Sequence, residues 1–453
     1  MVNNMEVTII SKQTVKPSSQ SLHHLKPYNL CLFDQLTPVT YPSMVFFYPI
    51  TDPNFNLPKT LTHLRNSLSE TLTLFYPFSG RTKNNVVIDD FHVGVLFLEA
   101  KVNCKMSEYF KLKDTESLNN FVPLHPFCKE NETTLVNLPQ IAFQVSIFAC
   151  GGIALGVSLC HKMADGTTIS SLLKSWAAIF SGYPNKVIHP DLSRSSSLFP
   201  PRDLPKNYID LMDHLWFKES NYITRRFVFD AKSITNLKSK AKSESVPKPS
   251  RIETLTCFIW KHAMAASWSI SGSPRTSVLA HAVNLRPRVK PPQSLDASTG
   301  NLFWWGTVAA NPSSETELEL NKLVGLFKEA LGLFDDEFLE SLQGEDGFSI
   351  MLEFLNQLEA MLSLESEKPD IFAFTSWSKS FFNELDFGWG KPFWLGVMGK
   401  VGAAFRNLVI FVDTQWGNGI EAWVTLEEKL MVVLENDPNF LAFAAPNPGI
   451  SSL

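Results

Sequence analysis

The sequence predicts an α/β fold in two domains, on three observations. Runs with β-type alternation and runs with apolar residues at three-and-four spacing interleave through both halves of the chain. The 453 residues exceed one ordinary domain and suggest two of about 200 each. Between residues 181 and 206 the texture changes to Pro, Ser and charged residues, including Ser195-Ser196-Ser197-Leu198-Phe199-Pro200-Pro201, which reads as a crossover.

In the first half, residues 6–10 and 41–50 read as strands, and Leu61, Leu64, Leu68, Leu72 and Phe75 mark a helix that Tyr76-Pro77 ends. Val86-Val87-Ile88 and Gly94 to Glu99 read as a strand pair around a turn at Asp89-Asp90. Gln144 to Cys150 and Ile153 to Cys160 read as a hairpin broken by Gly151-Gly152. Ile169, Leu172, Leu173, Trp176, Ala177 and Phe180 then recur at helical spacing, so a helix starts just after Gly166.

The second half opens with a strand, Thr224 to Phe229, and a basic helix, Ala231 to Ser243. Ser250-Arg251-Ile252-Glu253 is a capping-box pattern, with Ser at the N-cap and Glu at the third helical position, so a helix begins there. Ile252, Leu255, Ile259 and His262 share one of its faces. Val278 to Leu285 reads as a strand. From Glu315 to Leu364 two helices are expected, interrupted at Gly344 to Gly347, with an acidic surface over 343–367. Val409 to Val412 and Glu421 to Thr425 alternate as strands, and Leu426 to Leu434 reads as a closing helix. No internal repeat is visible.

Charge and composition narrow the function. The formal net charge is −5 with no long basic run, which argues against nucleic acid and anionic membranes as partners. No run of 18 or more apolar residues occurs, and the amino-terminal segment lacks a charged region followed by an apolar one, so the default is cytoplasmic. Six cysteines (31, 104, 128, 150, 160 and 257) lie without CxxC or metal-ligand spacing and read as reduced core residues. A small-molecule partner fits best.

One short stretch, Cys160-His161-Lys162-Met163-Ala164-Asp165-Gly166, sits where the hairpin stops and the helix begins. A histidine at such a junction can face a cleft, and its ordinary pKa suits it to take a proton at neutral pH. The spacing admits other readings. Asp165 can be the N-cap of the following helix, or it can orient His161 as in a triad. A metal pair lacks a third ligand nearby, so no metal is expected. No G-x-S-x-G elbow occurs, and Cys160 points to the other side of the strand from His161 if the pleat holds.

A second stretch, Leu385-Asp386-Phe387-Gly388-Trp389-Gly390-Lys391-Pro392, lies far downstream. A chain carrying both resembles the BAHD acyltransferases of plants, which move an acyl group from coenzyme A to an alcohol or amine. Their HXXXDG signature is matched by His161, Asp165 and Gly166, and their DFGWG by Asp386 through Gly390. Phe75-Tyr76-Pro77-Phe78-Ser79-Gly80-Arg81 is similar to the family's FYPLAGR. Val283 to Arg288 is similar to its NxRxR, and Gly419 to Val424 to its closing strand, so the resemblance runs from about residue 6 to residue 449 in the family's order.

The resemblance implies two similar domains related to chloramphenicol acetyltransferase, with mixed sheets flanked by helices and a solvent channel between them. Residues 1–195 would form the first, joined by the returning segment of about 383–409, with 196–218 as linker and 219–453 as the second. It implies an acyl-CoA co-substrate, no permanently bound cofactor, a small-molecule alcohol acceptor and a monomer. His161 would be the general base. Asp165 would turn away from the cleft and pair with Arg286, holding the His loop in shape.

Phe374-Thr375-Ser376-Trp377 resembles the family's TSW, so Trp377 and Thr375 are candidates to face the acyl carbonyl and the acceptor; a Trp simply buried in a strand is the plain alternative. The glycines of Asp386-Phe387-Gly388-Trp389-Gly390 permit a tight turn. In the family that loop shapes the coenzyme A side of the channel, which makes Gly388 and Trp389 candidate contacts and Asp386 structural. Lys248, Ser250 and Arg251 offer cations and a helix N-terminus for phosphates, or only a solvated basic turn. The family's YFGN appears as Ser298-Thr299-Gly300-Asn301, keeping Asn301 and losing the aromatic pair. The stretch from Gln144 to Gly166 is most similar to the branch of alkaloid and terpenoid alcohol acetyltransferases, so acetyl-CoA is the expected donor. Hydroxycinnamoyl or benzoyl transfer, amine acceptors and a catalytically silent binding relative stay open as alternatives.

Overall fold

Strands in this chain form where β-branched and aromatic residues cluster, and the first eight are β1 (Val7–Val15), β2 (Tyr28–Asn29), β3 (Ser43–Tyr48), β4 (Arg81–Lys83), β5 (Val87–Asp89), β6 (Val95–Val102), β7 (Ile141–Phe148) and β8 (Ile153–Leu159). The rest are β9 (Tyr222–Phe229), β10 (Ser277–Asn284), β11 (Phe303–Ala310), β12 (Asp370–Ser376), β13 (Trp394–Gly396), β14 (Leu408–Asp413), β15 (Ile420–Glu427) and β16 (Ala445–Pro446). This computed structural model describes residues 5–18, 25–126, 139–204, 206–289, 294–311, 318–344, 346–363, 368–397, 399–401, 406–415 and 417–450. Cys128, Glu345 and residues 364–367 of the acidic segment lie outside them.

The strands divide into two mixed sheets and a small one. The first has the order β1-β6-β7-β8-β3-β13, and the second β11-β10-β12-β14-β15-β9-β16. In the first, β6 and β7 run parallel; in the second, β12 runs parallel to both β10 and β14. β13 lies far along the chain yet pairs antiparallel with β3, Trp394 opposite Phe47. The later chain thus returns to the first sheet.

Alternation along the central strands of the second sheet explains its two packed faces. On β12 and β14, Phe372, Phe374, Val409 and Phe411 join a core with the flanking helices Arg251–Ser271 and Leu320–Gly332. Their neighbours Ile371, Ala373, Leu408 and Ile410 face the other way and join the core shared with the first sheet. Both faces are covered, so these strands read as continuous apolar runs.

Several elements depart from the sequence reading for identifiable reasons. β5 and β6 do not pair with each other: β5 bonds to β4 and β2, while β6 lies between β1 and β7. β6 is buried along most of its length, so it needs a neighbour on both edges, which the three-residue, half-exposed β5 cannot supply. The stretch from Glu315 holds three helices rather than two, Leu320–Gly332, Asp336–Ser341 and Gly347–Ser363. Asp335 starts the middle one, its carboxylate accepting from the Phe338 N–H at 2.9 Å.

β11 was not foreseen, its aromatic run being broken by Gly306. Leu426 belongs to β15, and the closing helix begins only at Glu428. The Pro- and Ser-rich crossover contains two helices, Arg194–Leu198 and Lys206–Trp216. Cys150 is exposed at the hairpin turn and is no core residue, whereas Cys31, Cys160 and Cys257 are buried. Among the described residues no helix is long and apolar enough to cross a membrane, and no group of three His, Cys, Asp or Glu could hold a metal ion.

Candidate active site

The hairpin β7–β8 delivers His161 one residue past Cys160, and backbone bonds then fix the loop. The His161 N–H donates to the Thr40 carbonyl at 2.9 Å, and the Cys160 N–H to the Gln140 carbonyl at 2.8 Å. Lys162 turns inward, its ammonium donating to the carbonyls of Gln35 at 2.8 Å and Thr37 at 2.7 Å. Burial lowers its pKa to about 8. Asp165 closes the loop as N-cap of the helix Gly166–Phe180, accepting from the Thr168 N–H at 3.0 Å.

The same carboxylate holds a buried ion pair with the Arg286 guanidinium and accepts a further bond from the Leu302 N–H at 3.1 Å. Arg286 also donates to the carbonyls of Ser298 and Gly300, both at 3.0 Å. Burial alone would raise the Asp165 pKa. The guanidinium and these donors outweigh it and hold the carboxyl below its ordinary value. Asp165 therefore ties the His loop to the end of β10 and to the 298–302 turn.

His161 takes its ring partner from that turn. Asn301 donates its side-chain N–H to the Asp34 carboxylate at 2.9 Å and to the His161 carbonyl at 2.7 Å. Its amide nitrogen is thereby committed, and its oxygen faces His161 Nδ1 at 3.1 Å. Nδ1 must then carry the proton, which leaves Nε2 as the basic nitrogen. Asp34 is held by the N–H groups of Asn301, at 2.7 Å, and Cys31, at 2.8 Å, while burial raises its pKa to about 6. Burial lowers the pKa of His161, so the ring is neutral at neutral pH.

His161 lines a cavity of about 520 Å³. Asp165, Thr375 and Trp377 border it too, the last two at the end of β12, together with Ala373, Leu408 and Ile410 from the sheet face described above. The indole Cδ1 of Trp377 would lie 4.0 Å from a β-carbon on Gly166, so the two motifs meet at the cavity.

Other expected contacts lie elsewhere. Asp386 accepts from the N–H groups of Gly388 at 2.7 Å and Gly390 at 2.9 Å, closing a turn in which both glycines have positive φ. Phe387 packs on Trp176 and Phe180, and Trp389 on Tyr48, Phe55 and Phe180. Gly388 and Trp389 are not among the residues lining the cavity. The loop clamps the helix that follows His161.

Lys248, Ser250 and Arg251 do not line it either. Ser250 and Glu253 exchange the two bonds of a capping box, and Arg251 is ion-paired with Asp413 at 2.9 Å. Sequence reasoning missed Asp34, which lies 267 residues from Asn301 and carries no motif. It also missed Lys174, Trp216 and the β11 aromatics Phe303 and Trp305, all of which line the cavity.

The sequence model of the Transferase family matches residues 5–441. Akuammiline synthase 2 of Alstonia scholaris is 37% identical over 98% of this chain and 98% of its own length. The limonoid 7-O-acetyltransferase of Citrus sinensis is 38% identical over 98% of this chain and 99% of its own. Among solved structures, vinorine synthase superposes with a TM-score of 0.80 at 28% identity, covering 97% of this chain and 98% of that one. The F. sporotrichioides protein TRI101, solved with coenzyme A and T-2, shares the fold at a TM-score of 0.72 and 16% identity, over 94% of this chain and 100% of that one. A family match over nearly the whole length, with relatives this close across both halves, leaves one assignment: the chain belongs to the Transferase family, the BAHD acyltransferases, and is an acyltransferase.

Proposed function

We propose that the protein transfers an acetyl group from acetyl-CoA to a hydroxyl on a bulky, largely apolar natural product, with His161 as general base. The observation that carries the reading is the chain Asp34–Asn301–His161, which places the proton on Nδ1 and leaves Nε2 basic on a residue of the cavity wall. The acceptor oxygen attacks the thioester carbonyl as Nε2 takes its proton. The tetrahedral intermediate collapses, the carbon–sulfur bond breaks, and the imidazolium protonates the departing thiolate. Trp377 and Thr375, at the cavity, are the candidate donors to the oxyanion.

A covalent acyl-enzyme is unnecessary. Cys160, the nucleophile nearest to His161 in sequence, is buried, and burial pushes its thiol up to about 11, so it stays protonated. Acetyl as the group and a polycyclic alcohol as the acceptor are supported by relatives such as the limonoid 7-O-acetyltransferase and the stemmadenine O-acetyltransferase of Catharanthus roseus, 31% identical over 95% of this chain. The aromatic residues lining the cavity suit such a skeleton.

The test is coenzyme A release by wild type and His161→Ala, with acetyl-, malonyl-, benzoyl- and coumaroyl-CoA against a panel of alkaloid and terpenoid alcohols. Turnover with acetyl-CoA and a loss of about 10²–10⁴ in the folded variant are expected. A preference for benzoyl- or coumaroyl-CoA would replace the acetyl assignment. A His161→Ala rate within a few-fold of wild type would overturn general-base catalysis.

A further inference from the structure

A second cavity, of about 260 Å³, opens where β12 and β14 begin. Along β12 its wall residue Asp370 is five residues from Thr375 of the His161 cavity, about 17 Å at the rise of a strand. No residue lines both cavities. The helix Arg251–Ser271 contributes Ser267 and Ser271, so the cavity lies at the opposite end of that helix from Ser250 and Arg251.

Cations outnumber carboxylates on its wall. Lys218 and Lys429 share one carboxylate, that of Glu427, at 3.0 and 3.2 Å. Arg275 reaches Asp370 at 3.5 Å. Among the described residues no carboxylate forms an ion pair with Arg406, and burial pulls its pKa below that of a free arginine. Four cations thus meet two carboxylates, a local excess of two positive charges in a chain of formal net charge −5. A partly buried guanidinium without a counter-charge costs stability unless an anion meets it.

Two further observations do not depend on that charge. The helix Glu428–Glu435 starts at the cavity with no side chain capping it. The Glu428 N–H donates to the Asn221 carbonyl at 2.9 Å. The next two residues, Lys429 and Leu430, line the cavity, and N–H groups so early in a helix have no partner within it. Asn407, only 9% exposed, donates through its amide nitrogen to the Ile371 carbonyl at 3.1 Å, while its Oδ1 is buried without a partner. Hydrogen phosphate supplies what each group lacks: two negative charges, oxygens for the guanidinium and the helix N–H groups, and one hydroxyl for Oδ1.

We propose that this cavity is a binding site for hydrogen phosphate, held by Arg406 and the start of the helix Glu428–Glu435, with the phosphate hydroxyl donating to Asn407 Oδ1. Such a site needs neither His161 nor a thioester, so it stands apart from the acyl-transfer reading.

Calorimetric titration of the whole protein with sodium phosphate, at an ionic strength held constant with chloride, should show one site per chain. Arg406→Gln should weaken binding about tenfold, as expected for one charge-assisted contact. Should that variant fail to fold, the double variant Lys218→Gln, Lys429→Gln serves instead, because both lysines are more than half exposed and together they supply the whole charge excess. Nitrate, with a single charge and no hydroxyl, should give no binding heat. Glycerol phosphate, in which an ester oxygen replaces the hydroxyl, should bind more weakly than phosphate; tighter binding would give the cavity to a phosphate ester and overturn the choice of free phosphate. Absence of phosphate binding, equal binding of nitrate, or undiminished affinity in a folded variant would overturn the site.

Discussion

In the proposed reaction His161 would owe its basicity to one neighbour and to burial, which act in different ways. Asn301 settles which nitrogen is free, and burial lowers the ring's pKa, so the basic form persists at pH values where an ordinary histidine would be charged. The sign follows directly. Protonation of His161 removes the base, so the acid limb of kcat/KM should fall below the ordinary histidine value of about 6.5. A pH–rate profile checks this, and an acid limb at 7 or above would contradict it. At this scale the sequence was partly legible: His161 and Asp165 stand in a recognisable stretch. Asp34 does not, because its part arises only when the short helix Leu32–Leu36 meets the segment 299–302 through the bond between Asp34 and Asn301.

At the scale of elements, close approach decides what a residue may be. Gly156 lies on β8 between β7 and β3, and a β-carbon there would sit 1.8 Å from the Phe121 carbonyl oxygen. Gly156→Ala must displace the turn Glu116–Phe121 from the sheet. A loss of about 1–3 kcal/mol or more is expected in denaturant unfolding, with the wild-type midpoint as comparison; an unshifted midpoint would show that the turn gives way freely. The helices after Asn56, Asp165, Asp230 and Ser250 were legible from spacing and caps, which are local. Pairing was not local. The partner of β6 depends on which strand can cover an almost fully buried edge, and the helix at Lys206–Trp216 was hidden behind a crossover composition that suggests a linker.

Over the whole molecule, the Asp165–Arg286 pair fastens the loop after β8 of the first sheet to the end of β10 in the second. Removing one partner leaves a buried charge, so Asp165→Ala should cost about 3–5 kcal/mol and lower activity with it; a stable, active variant would sink that role. The pair also sets an acid limit. The Asp165 pKa is lower in the folded state than unfolded, so its contribution is present above the unfolded value of about 3.9 and is lost as pH falls through the folded one. His161, lowered as well, loses its contribution as pH falls through and below about 6.5. Asp34, raised to about 6, acts in the opposite sense, favouring the folded state as pH falls from there toward 4. Equilibrium unfolding of wild type and Asp165→Ala across pH 3–7 should converge toward the acid end. The sequence by itself determined the α/β class, most helices, the hairpin behind His161 and the two motifs of the family, because periodicity, caps and motifs reside in neighbouring residues. Only the tertiary structure decided that Phe387 of DFGWG packs on the helix after His161, that Arg251 pairs with Asp413, and that Asp34 reaches His161 through Asn301. Those outcomes depend on which distant groups compete for the same charge or the same surface, and spacing along the chain carries no record of that competition.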